Sequence, residues 1–299
     1  MINILDRIKM RFCVFVMIFC LLSAVCGARP KTKKDGGKTP NKFSHDVGLM
    51  LGGSYYLGEL NPSKHFNMMQ PALGVFYRFN QHYRLSYRVG LNFGTLMGDD
   101  TQSDDMDQIN RNLNFKNKIQ ELSAVAEFNF WDYRISHPKK YFAPYVFLGF
   151  AILKHNPMGE YKGRYYDLQP LCTEGQGTPI KENQSKYKLI QFTIPFGIGA
   201  KLNLSKNVGL SFEWGMRKTF TDYLDDVSTQ YVNSSLLSYY KGGIAGIMSD
   251  RSLDNEPGMD QTGSQRGNPN IRDWYNFFGF QLSVQLHGKE RCATANGGK

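Results

Sequence analysis

The sequence predicts an all-β protein, an eight-stranded antiparallel up-and-down transmembrane β-barrel of the outer-membrane type. Three observations predict it. A basic and apolar leader opens the chain, apolar and polar residues alternate with a period of two through much of the rest, and the connections between alternating segments are by turns short and long.

The leader covers residues 1–28. Arg7, Lys9 and Arg11 precede an apolar run from Phe12 to Val25, and small residues reach Ala28, where the polar stretch 29–43 begins. That order is a secretory signal peptide, and the run is shorter than the roughly 20 apolar residues of a membrane-spanning helix. A rival reading makes Cys26 a lipidated N-terminus, against which Val25 is bulky for the preceding position. The formal charge of the whole chain is +10. The leader accounts for little of it, so the exported part stays strongly basic. Such a surplus suits anionic headgroups, an acidic protein or nucleic acid, and export makes nucleic acid the poorest fit.

The alternating segments follow in order. Residues 47–58 and 71–79 carry the pattern weakly. In 84–94, Leu85, Tyr87, Val89, Leu91 and Phe93 share one parity against Arg84, Ser86, Arg88, Gly90, Asn92 and Gly94. In 121–130, Leu122, Ala124, Ala126, Phe128 and Phe130 oppose Glu121, Ser123, Glu127 and Asn129. Residues 141–154 are apolar on both parities, while 187–204 alternate most regularly, Ile190 to Leu204 on one parity and Gln191 to Asn203 on the other. Val208 to Met216 oppose Gly209 to Arg217, and Phe278 to Leu286 oppose Gly279 to Gln285. A strand puts each such set on its own face, where a helix would scatter both.

Connections 80–82, 133–140 and 205–207 are short, whereas 59–69, 97–117, 155–186 and 221–273 are long. In an up-and-down barrel, odd and even connections emerge on opposite rims. Outer-membrane barrels put short turns in the periplasm and long loops outside, which places both termini in the periplasm. The long loops are polar, with acidic 99–107 and a stretch 249–270 nearly free of large apolar residues, so mobility is expected there. A polar tail, 288–299, follows the last strand.

Alternation alone leaves open which face points inward. An eight-stranded barrel has an interior just wide enough for side chains. The polar set is rich in glycine, and its charges can pair across that space: Arg78, Arg84, Arg88, Glu121, Glu127, Glu213 and Arg217 are the predicted lumen network. The bulky Phe, Leu and Ile of the other set then face lipid. Aromatics gather at strand ends, Tyr77, Phe79 and Tyr83 by the first short turn, Phe130, Trp131, Tyr133, Tyr141 and Phe142 by the second, and Phe220, Tyr223, Trp274 and Tyr275 at the long-loop rim, as interfacial girdles do.

No catalytic, cofactor or metal site is predicted. The six histidines are scattered at element ends without metal-ligand spacing. Gly197-Ile198-Gly199 lies in mid-strand, where it marks space inside the barrel rather than a phosphate-binding turn. The charged lumen set admits a catalytic or transport reading, but a salt-bridged plug satisfies its buried charge more simply. Cys172, in a long loop, and Cys292, beyond the last strand, should lie on opposite sides of the membrane, out of reach of one another.

Several motifs carry a family resemblance. The basic leader, Tyr55-Tyr56-Leu57-Gly58-Glu59-Leu60, Gly74-Val75-Phe76-Tyr77-Arg78-Phe79 and Thr221-Asp222-Tyr223-Leu224-Asp225-Asp226-Val227-Ser228 together resemble the PorG-type outer-membrane barrel of the Bacteroidota type IX secretion system, over about residues 44–287. The resemblance implies a non-enzymatic component that meets a periplasmic ring, formed by a lipoprotein and its partner, and helps seat the secretion and gliding apparatus. The chain departs from many outer-membrane proteins in running on past its last strand instead of ending on an aromatic residue. A ring could reach only the periplasmic rim, where His137, Lys139, Lys140 and Lys206 make a basic docking surface plausible; lysines that merely keep turns solvated are the plainer reading. The alternatives are an adhesin acting through the long loops and a lipid-modifying enzyme or protease, for which no convincing nucleophile and base pair stands out.

Overall fold

The computed structural model describes residues 43–135, 137–253 and 261–286. The predicted signal peptide, most of the basic linker, the polar tail and Cys292 lie outside the described residues. Eight strands make the barrel: β1 (Ser44–Leu57), β2 (Gln70–Asn80), β3 (Leu85–Asp99), β4 (Asn114–Asn129), β5 (Phe142–Lys154), β8 (Ile190–Asn203), β9 (Val208–Thr219) and β10 (Trp274–Leu286). Each pairs antiparallel with the next, and β1 closes the sheet onto β10 from His45–Leu286 to Leu57–Trp274. Closure matters because hydrocarbon offers no partner to a bare strand edge.

The faces fall as the alternation predicts. Leu51, Leu148, Phe150, Phe192 and Ile198 are 65%, 61%, 75%, 70% and 56% exposed on the outer wall, whereas Arg78, Glu127 and Lys201 are 1%, 0% and 0% exposed within. A greasy outside and a charged inside make this a transmembrane barrel. In β5, Tyr145 and Phe147 turn inward and Leu148 and Phe150 outward. Gly197 and Gly199 make room for them, since a Cβ there would come within 2.8 Å of the Phe147 ring and 2.5 Å of the Tyr145 ring. The β5–β8 ladder breaks between Leu148–Phe196 and Ala151–Thr193, beside Pro195, which has no N–H to donate.

Short turns join β2 to β3, β4 to β5 and β8 to β9, and the described ends of β1 and β10 lie at that same rim. The opposite rim differs from expectation. β3 runs to Asp99 and β4 starts at Asn114, so the connection taken as 97–117 is partly strand. The third long connection contains a hairpin, β6 (Pro157–Tyr161) and β7 (Arg164–Asp167), that extends the sheet through β4, and then α2 (Leu168–Leu171). Helix α1 (Met106–Arg111) lies in the second, α3 (Ser234–Lys241) and α4 (Gly243–Ser249) in the fourth. The described parts of the loops predicted to be mobile are therefore a folded layer. Its main cluster brings Leu224, Val227 and Met248 down onto Tyr56, Leu96, Phe115, Ile119, Leu153 and Tyr275 at the barrel mouth.

Candidate functional site

The barrel interior is the most densely charged part of the molecule. Glu127, on β4, is its hub: Arg88 Nε lies 2.5 Å away, Lys201 Nζ 2.6 Å and Arg78 Nε 2.9 Å. Glu213, on β9, accepts from Arg88 at 2.5 Å, from the Tyr145 hydroxyl at 2.8 Å and from Gln281 at 2.9 Å. Nearer the long-loop rim, Glu121 accepts from Tyr275 at 2.7 Å, Asn92 at 2.8 Å and Arg217 at 3.1 Å. Arg78 also donates to Gln281 at 2.8 Å, so the two clusters around Glu127 and Glu213 form one mesh. Charges this deep persist only when paired and hydrogen-bonded, and strands on opposite walls supply the partners. The result is a plug.

Of the predicted lumen residues, the structure brings together Arg78, Arg88, Glu121, Glu127, Glu213 and Arg217. Arg84 does not join them: it lies just before β3 and pairs at 3.0 Å with Asp132 on the rim, both groups nearly half-exposed. Its parity points inward, but the strand has not begun there, so its side chain is free to reach solvent. Lys201, Tyr145 and Gln281 complete the mesh, and Tyr275 and Asn92 complete the cluster around Glu121. Lys201 shares the parity of the other polar residues of β8, so the signal for it was in the alternation. The tyrosines were hidden by their apolar rings.

At the short-turn rim, Lys139 and Lys206 are exposed. Lys140 instead folds onto the Tyr83 ring, 3.2 Å from its centroid, and reaches Asp132 at 3.3 Å. Partial burial, then Lys140, Arg134 and Lys139, holds the His137 imidazole below its usual range, a sign of the positive field there. Trp131, Tyr141 and Tyr77 face outward from this end of the wall and Phe220 from the other, as girdle residues should. Tyr133 and Tyr275 do not: Tyr133 packs inward on Ile135 and Ala143, and Tyr275 serves Glu121. Tyr223 belongs to the loop layer, stacked on Tyr187 with ring centroids 4.6 Å apart.

That layer has its own buried charge. Glu174 accepts from Ser228 N–H at 2.8 Å, Thr229 Oγ1 at 2.6 Å and Arg266 at 3.0 Å. Asp226, held at φ +68°, accepts from Tyr187 at 2.6 Å and from Thr173, and burial pushes its carboxyl up to about 6. Aspartate tolerates that left-handed conformation better than most residues. Polar composition suggested mobility in these loops, but Glu174, Asp226 and Arg266 find their partners within the layer. Closer to the barrel mouth, the Tyr56 hydroxyl lies 2.5 Å from Asp225 and 2.8 Å from Asp273, which share its one proton. Burial, then Asp225 and Asp222, pushes Glu59 up to about 9, while burial lifts Asp225 to about 7 and Asp222 to about 6. His155 is buried too. Its Nε2 side meets the Lys188 carbonyl at 3.2 Å and its Nδ1 side Asn117 at 3.4 Å, and burial lowers it to about 4.

Taken with its apolar wall, this is a plugged transmembrane barrel with a folded cap over one rim. The profile of a family described as a domain of unknown function, DUF6089, matches residues 38–245, and the chain belongs to that family. No curated protein sequence matches it. Similar solved structures include Ail, the attachment invasion locus protein of Yersinia pestis, at 8% identity, covering 81% of this chain and 97% of that one with a TM-score of 0.33. Neisserial surface protein A is 7% identical, with 82% and 98% covered and a TM-score of 0.35. The N-terminal β-barrel domain of Pseudomonas aeruginosa OprF is 9% identical, with 82% and 99% covered and a TM-score of 0.34. Likenesses this distant add nothing to what the strand pairing establishes.

Two outcomes follow from the charges. Glu127→Ala leaves Arg78, Arg88 and Lys201 short of their shared partner, so unfolding in detergent micelles should become easier by about 3–5 kcal/mol; Arg84→Ala, which breaks only a rim pair, should cost about 0–1 kcal/mol. Urea titrations followed by heat-modifiable gel mobility would compare them, and equal costs would contradict the hub. The second outcome concerns His155, whose folded pKa lies below the ordinary value, so the unfolded loop binds more protons and the neutral ring's stabilisation is lost as pH falls from about 6.5 towards 4. Carboxyls such as Asp226, raised in the fold, shift stability the opposite way over the same range. The comparison therefore has to be between proteins: wild type should lose up to roughly 3 kcal/mol of amide-exchange protection around residues 155–157 relative to His155→Gln, and parallel pH profiles would refute it.

Proposed function

We propose that the protein is a non-enzymatic outer-membrane component of a type IX protein-secretion and gliding apparatus. It sits with its short turns and both termini on the periplasmic side and docks there to a ring formed by a lipoprotein and its partner. The observation that carries this reading is the basic short-turn rim. Lys139 and Lys206 stand exposed without a carboxylate partner among the described residues, and Arg134 and Lys140 flank them. An acidic ring surface would meet complementary charge there, with the gain in encounter rate and orientation that such pairing brings. A plugged interior favours this role over transport, because the barrel then serves as an anchor. The resemblance of its motifs to those of PorG-type barrels supports the choice of apparatus.

A surface-interaction role is the second reading, favoured by α3. That helix buries Leu237 in the cap but turns Leu236, Tyr239 and Tyr240 outward, with Tyr239 82% exposed.

The test uses intact cells. A photo-crosslinking residue at Lys139 or Lys206 should capture the ring lipoprotein or its partner, and deleting the gene should stop export of proteins bearing the matching C-terminal signal. Unchanged secretion in the deletion strain would overturn the proposal. If Leu236→Ser with Tyr239→Ser abolished attachment while secretion continued without the barrel, the surface role would take its place.

A further inference from the structure

Two of the motifs that carry the family resemblance meet in space. The first supplies Tyr56, Gly58 and Glu59 at the end of β1, the second Asp222 and Asp225 just past β9, and Asp273 arrives from the residue before β10. Ligand oxygens of Glu59, Asp222 and Asp273 all lie within 4.8 Å of one another. Asp222 is 1% and Asp273 0% exposed.

The partners of these carboxylates are uneven. Asp273 is well served, accepting from the Tyr56 hydroxyl at 2.8 Å through Oδ1 and from Leu224 N–H at 2.8 Å through Oδ2. Asp222 is not. The Ser228 side chain and Arg272 lie near enough to ease its charge, yet neither Asp222 oxygen receives a hydrogen bond of ordinary length and angle. Glu59 Oε2 is likewise unpartnered, its other oxygen being reached only by Asn268 N–H at 3.4 Å. No Lys or Arg forms a salt bridge with any of the three among the described residues. Arg111 reaches the Glu59 backbone carbonyl at 3.5 Å but pairs its charge with Asp100 at 2.7 Å. Glu127, Glu121 and Glu174, buried elsewhere in the molecule, are each matched with a cation. Here three converge with none.

Space has been kept for them. A Cβ on Gly58 would come within 2.0 Å of the Tyr56 hydroxyl and 2.2 Å of Asp273 Oδ1. The glycine lets β1 end hard against the carboxylate.

We propose that Glu59, Asp222 and Asp273 form a divalent-cation site, of the hard, oxygen-liganded kind that takes Ca²⁺. A Ca²⁺ ion binds carboxylate oxygens at about 2.3–2.6 Å in flexible geometry, so one ion spans oxygens separated by the distances found here. Carboxylates without nitrogen or sulfur donors select hard cations over transition metals. Asp222 offers two free oxygens and Glu59 one, with water completing the shell. The ion ties the first long connection to both ends of the last, stapling the cap to the barrel mouth. Tyr56 and Asp225 are positioning residues, since Tyr56 holds Asp273 in place by its hydroxyl. The site stands independently of the secretion reading.

The test uses the full-length barrel, folded in detergent micelles, stripped with EDTA and titrated calorimetrically with Ca²⁺ and, separately, Mg²⁺. Wild type should take up one Ca²⁺ per chain and melt at higher temperature when loaded. Asp222→Asn, with heat-modifiable gel mobility intact, should bind at least ten-fold more weakly and lose the thermal gain. In the absence of metal it should melt above stripped wild type, because a repelling charge is gone. Asp104→Asn, an exposed acid elsewhere in the cap, should leave binding unchanged. Should Asp222→Asn fail to fold, Glu59→Gln gives the same reading. No uptake of Ca²⁺ or Mg²⁺ by folded wild type, or equal Ca²⁺ affinity in wild type and in a folded Asp222→Asn or Glu59→Gln variant, would overturn the site; uptake of Mg²⁺ in preference would overturn its assignment to Ca²⁺.

Discussion

Everything in this structure follows from closing the sheet. A strand edge in hydrocarbon leaves its N–H and C=O groups without partners at a cost of several kcal/mol each, so β1 has to meet β10 along its whole length. Once the cylinder is shut, side chains have two destinations only. Bulky apolar groups such as Leu148 and Phe192 go to the lipid, where shape is unimportant, and what remains has to fill a narrow interior. Charges fill it by pairing across the bore, and glycines at 197 and 199 give Tyr145 and Phe147 room to enter. The lumen network is thus a consequence of closure.

The cap obeys the same accounting with different materials. Its backbone is irregular, so its buried donors and acceptors cannot rely on ladders and depend on side chains. Glu174 and Arg266 take up several of them, and Asp226 with Tyr187 and Thr173 takes others. The apolar side chains Leu224 and Val227 then seat the cap on the aromatic mouth of the barrel. Between these two well-satisfied networks lies the acidic trio of Glu59, Asp222 and Asp273. Its carboxylates converge with no salt-bridge partner among the described residues, which suits the trio to a bound cation.

The barrel was legible in the sequence because alternation in β3, β4, β8, β9 and β10 is a direct record of which face each residue takes. Even β5, apolar on both parities, declared its position by its length and neighbours, though not that Tyr145 and Phe147 face the bore. Arg84 misled because parity has meaning only inside a strand. The cap was illegible for a different reason. Polar, glycine-containing loops read as solvated when their partners are far away in sequence: Glu174 and Arg266 are separated by 92 residues, and Tyr56 and Asp273 by 217. Nothing local signals such pairs. The Thr221 to Ser228 motif stood out as a family mark, yet its work in sealing the mouth and lining an acidic pocket became visible only in three dimensions.

The central claim is the direction of the two faces, and collision accessibility measures it most directly. Nitroxide labels placed singly at Leu51, Leu148, Phe192 and Phe280 of the barrel reconstituted in lipid bilayers should collide with dissolved oxygen and be shielded from a water-soluble nickel chelate, while a label at Lys206 in the short turn should show the reverse. Free access of the nickel chelate to the four wall positions would mean that those side chains face water, and the account of the fold, plug and cap would have to be abandoned.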